Sequence, residues 1–330
     1  MPTSVDPVNL LWGLFAVLVV AIAALDLVVI THRGGQVGMR SALRWVAIWV
    51  TVALGFGLAI RFFHPDGVPI AAAYVAGYLT EYALSVDNLF VFILIFSLMG
   101  VPATAQPRLL KLGIYLSIVL RIAFILFGIR LVERFHWLIF VFGALLIWTG
   151  WKMLVSKEGE HVDPTRNILY RLASRFLRVH PGDGVSARML HHDGGRWYVT
   201  PMFLVFLVIG STDLLFAVDS IPAIIGISTD RFVVITSNVF AVLGLNALFF
   251  ALRGIMGMFR FLKHGVSLIL FFIGAKMLAG FHAPLDHWFK ANPLVPLGVI
   301  VAILAGSIAV SLAHARVRLP TDEPKNNDAP

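Results

Sequence analysis

The sequence predicts an all-α polytopic membrane protein of about nine transmembrane helices containing an inverted three-helix repeat, and three observations predict it. Hydrophobic residues make up 59% of the 330 residues against 13% charged, and mean hydropathy is +0.87, which excludes an ordinary soluble domain. Apolar runs of about 20 residues, the length that crosses roughly 30 Å of hydrocarbon as a helix, recur along the chain. Two of those runs carry acids in matching patterns.

The runs lie near 8–30, 42–61, 70–98, 109–130, 136–155, 201–225, 232–252, 261–281 and 293–313. The first has no basic segment before it and is too long for a typical signal-peptide core, so it is predicted to remain as a helix. The runs divide the chain into two N-terminal helices (1–69), a first three-helix unit (70–155), a basic linker (156–199), a second three-helix unit (200–281), and a last helix with a polar tail (282–330). In the linker, "RNILYRLASRFLRV" spaces Ile168, Leu172, Phe176 and Val179 as one apolar face among arginines, the pattern of a helix on a membrane surface. "ARMLHHDGGRWYVT" places Asp-Gly-Gly between short apolar stretches and reads as a hairpin. His180, His191 and His192 read as solvated loop histidines, since no nearby pattern supplies a metal-ligand set.

Basic residues orient the chain, because cytoplasmic loops retain Lys and Arg. Arg33, Arg40 and Arg44 follow the first run, Arg108 and Lys111 the third, and Arg253, Arg260 and Lys263 the seventh. The linker and the tail with Arg316, Arg318 and Lys325 fall on the same side. The opposite side holds Arg61, Arg130, Arg134, Arg231 and Lys290. The N-terminus is therefore expected outside and the C-terminus cytoplasmic. The net charge of +8 then follows from topology, so the lipid bilayer is the expected partner and nucleic acid is not. There is no cysteine, which excludes disulfides, thiolate metal sites and dithiol redox chemistry.

The two three-helix units repeat one another. "EYALSVDNLFVF" places Glu81 six residues before Asp87; "DLLFAVDSIPAI" places Asp213 six residues before Asp219; Asn88 and Ser220 follow the second acids. Arg121 then matches Asn246, and "TGWKML" with Lys152 matches "IGAKML" with Lys276, at intervals of 31 and 30 residues. Because each unit has three spans, the two enter the membrane from opposite sides, an arrangement that places transporter sites near the midplane between repeats.

Acids in hydrocarbon cost at least about 2.5–3.5 kcal/mol each and face protein or water with partners. Arg121 is the clear intramembrane counter-charge; Lys152 and Lys276 are further charge compensators that sit late enough in their spans to snorkel instead. A divalent cation, protons or both would offset the remaining negative charge. The oxygen-only set of Glu81, Asp87, Asn88, Asp213, Asp219 and Ser220 suits Mn²⁺, Mg²⁺ or Ca²⁺. At about 100° per residue, Asn88 and Ser85 share the Glu81 face while Asp87 stands about 120° away, as Asp219 does from Asp213. Either the helices unwind between the acids or each acid faces a different neighbour. Pro222, three residues after Asp219, would free backbone carbonyls there. Asp26 in the first run reads equally as a packing or a functional residue, and Asn246 as a polar packing contact. Paired aspartates also admit an intramembrane enzyme. Intramembrane aspartyl proteases carry Gly-x-Gly before a catalytic Asp, and neither Asp87 nor Asp219 is so preceded, so an enzyme is not expected.

Those two acidic motifs, with the downstream "SNVFAVLGLNALFF" and "IGAKML", resemble the signatures of the TerC family of integral membrane proteins, from about Asp26 to Leu278. The resemblance implies a multi-pass inner-membrane exporter of Mn²⁺ with no tightly bound cofactor, and carries the family's motif acids onto Glu81, Asp87, Asp213 and Asp219. The family is named for tellurium resistance, and the alternative is a non-transporting membrane protein in tellurite, pH or redox stress. The chain departs from the family pattern at Gly210, where Glu is common, and at Asn246, where Arg is common.

Overall fold

The structure, a computed structural model, describes residues 6–31, 39–155, 189–193, 196–253 and 262–317, with single positions at 171 and 175. In chain order the elements are α1 Pro7–Thr31, α2 Met39–Phe63, α3 Gly67–Leu98, α4 Gln106–Arg134, α5 Leu138–Val155, β1 Leu190–Asp193, β2 Arg196–Val199, α6 Pro201–Ile227, α7 Arg231–Arg253, α8 Leu262–Ala279, α9 Ala283–Ala291 and α10 Leu294–Val317. Hydrocarbon offers no hydrogen bonds to a backbone, so an apolar run of this length is stable there only as a helix. Each of the nine expected runs lies on one long helix.

Among the described residues, α1, α2, α3, α4, α5, α7 and α10 are long and apolar enough to cross a membrane. The described apolar part of α6 stops at Asp213, and α6 and α8 fall outside that set. The surface fits lipid: Val17, Val20, Phe62, Val119, Phe127 and Trp148 are all more than half exposed, far more apolar surface than a water-soluble chain presents.

Local chemistry sets the helix ends. Proline in the first turn starts α4, α6 and α9, where a missing N–H costs nothing. The Asp230 carboxylate accepts from the N–H groups of Phe232 (2.8 Å) and Val233 (3.2 Å), capping α7 after a three-residue turn. After α3 the chain reverses at Gly100, whose φ of +62° suits glycine, and Val101 N–H closes back onto the Phe96 carbonyl. The predicted hairpin forms: Leu190 pairs with Val199 and Asp193 with Arg196, and His192 crosses to pack on the Trp197 ring. The apolar helix expected in the linker lies outside the described residues, apart from Arg171 and Arg175, which are helical and exposed.

Helices α3 and α7 form the centre. α7 packs on α2, α3 and α4; α5 lies along α8; α4 lies along α6; α10 covers α3 and α8; α1 sits outside against α2 and α7. The main partnerships survive exchange of α3, α4 and α5 for α6, α7 and α8, while the α6–α8 contact has no comparable α3–α5 counterpart. The α3–α7 contact becomes α6–α4, while α5–α8 maps onto itself. The glycines at the α5–α8 crossing follow the same exchange. A Cβ on Gly143 would stand 3.0 Å from the Gly274 carbonyl oxygen, and one on Gly150 would stand 3.0 Å from that of Ser267. In the alignment of "TGWKML" with "IGAKML", Gly150 corresponds to Gly274 and Gly143 to Ser267.

The buried apolar residues form two clusters. One gathers Leu89, Phe92, Leu109, Leu110, Val205 and Phe249; the other gathers Tyr74, Tyr78, Ile125, Ile129, Ile221 and Phe240. On α4 the clusters part between Ile114 and Ile125, and on α6 chiefly between Ile209 and Ala217, with Ala223 the exception. Arg121 and Asp213 fall in those gaps, so a polar layer separates two apolar halves.

Candidate functional site

The layer is built on Arg121, near the midpoint of α4 and fully buried. Its guanidinium grips Asp213 from α6 with two parallel bonds, Nε to Oδ2 at 3.0 Å and Nη2 to Oδ1 at 3.2 Å. Nη1 pairs with Glu81 Oε1 from α3 and reaches Ser220 Oγ at 3.4 Å. Ser117, one turn before Arg121, donates to Asp213 Oδ2 and accepts from Nε at 3.2 Å. Ser85, one turn after Glu81, donates to Glu81 Oε1 at 3.2 Å. Glu81 Oε2 is buried and, among the described residues, has no hydrogen-bond partner.

Arginine suits this position because its planar fork matches a carboxylate bidentately and keeps its charge when buried. Removing such charges from water is costly, and the network offsets part of that cost with bonds to three of the four carboxylate oxygens. One cation stands between two carboxylates. The second oxygen of Glu81 is open among the described residues.

Of the sequence-predicted site, the structure brings together Glu81, Asp213, Ser220 and Arg121. Asn88 is buried on the Glu81 face of α3, about 10 Å further along the axis. Positions 87 and 219 lie on continuous helix, but the side chains of Asp87 and Asp219 are outside the described residues, as is that of Asp26. Neither α3 nor α6 unwinds: α6 runs through Pro222 to Ile227, so positions 81 and 87, like 213 and 219, stand about 120° apart around their helices. Lys152 and Lys276 stand away from the acids. Lys152 is exposed in the last turn of α5, its Nζ 5.5 Å above the Trp148 ring, and Lys276 Nζ donates to the Gly226 carbonyl at 3.2 Å. The reach of a lysine stem toward the interface accounts for the first, and an α6 carbonyl beyond the last turn's donors accounts for the second. Among the described residues, no group of three His, Asp or Glu stands close enough to hold a metal ion.

Sequence reasoning missed Ser117; its only signal is the four-residue spacing to Arg121, which puts both on one helix face. It also missed buried polar groups flanking the layer. Tyr74, Tyr78 and Tyr82 follow at one-turn intervals on α3. Tyr74 OH donates to the Ala53 carbonyl at 3.0 Å, while the Tyr78, Tyr82 and Thr80 hydroxyls and the Asn238 amide are buried without partners. Beyond this layer, a cavity of about 510 Å³ opens between the ends of α3, α5, α6, α8 and α9.

Over residues 67–319 the chain matches the family described as "Integral membrane protein TerC family". The chain belongs to the TerC family. It is 41% identical over 319 residues to "Uncharacterized membrane protein STKORF319" of Myxococcus xanthus, covering 95% of each chain. To the "Putative membrane-bound redox modulator Alx" of Salmonella typhi it is 39% identical over 314 residues, covering 92% of this chain and 94% of the relative. The protein of that name from Escherichia coli K12 is 38% identical over 311 residues, with the same coverage. No solved structure matches. As a TerC protein the chain is a multi-pass membrane protein, and its exposed apolar helix faces are lipid-facing. The two departures from the TerC pattern are both interior. A Cβ on Gly210 would stand 2.7 Å from Leu116 Cδ2, so an acid there requires Leu116 to move; Asn246 is buried on α7.

Proposed function

We propose that this TerC protein exports a divalent cation, Mn²⁺, from the cytoplasm by secondary transport. The observation that carries the reading is Glu81 Oε2, a carboxylate oxygen buried at the centre of the bundle with no partner among the described residues, in a described cluster of two carboxylates and one arginine. A cation arriving there gains a ligand without breaking a bond. Asp87 and Asp219 on the same two helices add carboxylates, and Asn88 and Ser220 add neutral oxygens, so the set available to the cargo is hard and oxygen-only. Protonation of these acids is the coupling step that would release the ion.

The exchange-invariant helix partnerships and the paired glycine crossings support two inverted three-helix units, nine spans and a site between the units. The distribution of Lys and Arg supports an N-terminus outside and a cytoplasmic C-terminus in the inner membrane. Nothing in this mechanism makes or breaks a covalent bond, so the protein acts as a transporter and not as an enzyme.

A non-transporting role in redox, pH or tellurite stress is the second reading, favoured by the printed name of the Alx relatives. The chain has no cysteine, so it has no thiol pair of its own to exchange. Any redox effect runs through another agent, and movement of a redox-active metal ion is one such route. Reconstitution into sealed vesicles separates the readings. Mn²⁺ flux that collapses in Glu81→Gln supports export; folded protein that moves no divalent ion refutes it.

A further inference from the structure

The 510 Å³ cavity lies at one end of the bundle, lined by Ala72, Ala73 and Ala76 on α3 and faced by Ser228, Lys276 and Asp286. Lys276 donates to the carbonyl of Gly226, in the last turn of α6, and Asp286 acts electrostatically on the same ammonium. A crevice left between lipid-facing helices would be lined by apolar side chains. This one has such side chains in Ile225 and Phe289, but beside them it holds a cation, an acid, two hydroxyls and a helix-end carbonyl, polar partners for water.

Helical geometry shows where its walls lead. Positions 76 and 87 are eleven residues apart, so they share one face of α3 to within about 20° and are separated by about 17 Å along the axis. Thr80 and Ala83 lie on the stripe between them, and Thr80 Oγ1 is buried with no partner. On α6, positions 226 and 219 share a face to within about 20° and lie about 10 Å apart. Glu81 and Asp213, both held by Arg121, stand about 140° around their helices from Ala76 and Gly226 respectively. The arginine cluster and the cavity therefore occupy different faces of the same two helices.

We propose that this cavity is the outer vestibule of the cation's path, which enters along the α3 and α6 faces bearing positions 87 and 219, with the Arg121 cluster on the adjoining faces of the same helices. The proposal rests on the transport reading. It assigns Arg121 and Asp213 to a charged wall of the path and leaves the open Glu81 oxygen as a ligand at its inner end, and it places the mouth at the end of the bundle where the loops carry few Lys and Arg.

The absence of cysteine makes the test direct, since any introduced thiol is the only one present. Ala73→Cys, Ala76→Cys and, as a lipid-facing control on α10, Val301→Cys are each placed in right-side-out and everted membrane vesicles. A positively charged, membrane-impermeant methanethiosulfonate is added, and Mn²⁺ flux is measured before and after. Reaction at positions 73 and 76 from the outer face only, slowed by external Mn²⁺ and followed by loss of flux, with Val301→Cys unaffected, is the expected result. Two thiols guard against one variant failing to fold. No reaction from the outer face, or reaction without loss of flux while untreated vesicles still move Mn²⁺, overturns the vestibule and leaves transport standing. Untreated, folded protein that moves no Mn²⁺ overturns the transport reading, and the vestibule falls with it.

Discussion

Arg121 and Asp213 form a bidentate ion pair between α4 and α6, at 3.0 and 3.2 Å, with both side chains almost wholly shielded from solvent. The pair joins the two halves of the chain at the centre of the bundle. Removing the cation strands two carboxylates in the interior, so Arg121→Met should cost about 3–5 kcal/mol, the range for breaking a buried pair. Arg121→Lys keeps the charge but loses the fork and should recover only part. Thermal unfolding in detergent measures both. A triple change, Arg121→Met with Glu81→Gln and Asp213→Asn, removes the stranded charges and should unfold later than Arg121→Met alone.

Glu81→Gln separates the carboxylate's charge from its shape. The amide oxygen still accepts from Arg121 and Ser85, so the unfolding temperature should move little, while Mn²⁺ flux in vesicles falls sharply because the open, negatively charged oxygen is gone. Flux equal to the unmodified protein's would remove Glu81 from the cation's path.

The α5–α8 crossing brings backbone against backbone. A Cβ on Gly274 would lie 2.7 Å from the Gly143 carbonyl oxygen and 2.9 Å from Ile147 Cγ1, and the nearer of the two is backbone that cannot turn aside. In lipid, helices associate largely through such close packing of small residues. Gly274→Ala should therefore destabilise by about 1–3 kcal/mol, the cost of overpacking. Gly13→Ala on α1, where nothing lies within 4 Å, should be neutral or stabilising by up to about 1 kcal/mol from helix propensity. Unfolding of the two variants side by side checks the contrast.

The helices were legible because hydrocarbon leaves an apolar run of about 20 residues one stable conformation. The hairpin was legible because Asp-Gly-Gly suits a tight reversal between strands. Glu81, Asp213 and Arg121 announced themselves as charges in apolar surroundings. Their pairing was not readable, because it depends on the crossing of three helices that no one-dimensional period encodes. Ser117 is the clearest case. Serine is ordinary in a packed membrane helix, and only the approach of α6 turns it into a donor to Asp213. Lys276 shows the same limit from the other side: its position late in a span allowed snorkelling or charge compensation, and the nearby end of α6 decided for a backbone carbonyl.

Arg231 and Glu133 pair as closely as Arg121 and Asp213, with Nη2 at 2.9 and 3.0 Å from the two carboxylate oxygens, yet about half of each side chain is exposed. They link the last turn of α4 to the first of α7 at the surface of the bundle. Solvent there competes for both partners and screens their attraction, so the expected contribution is at most about 1 kcal/mol. Glu133→Gln should shift unfolding only slightly, and the shift should shrink further when salt is raised. Arg121→Met should be insensitive to salt, because mobile ions do not reach a fully buried pair. Similar bond lengths thus predict different energies, and burial decides between them. If Glu133→Gln destabilised as much as Arg121→Met, the α4–α7 junction would be a buried contact and this division of the ion pairs would fail.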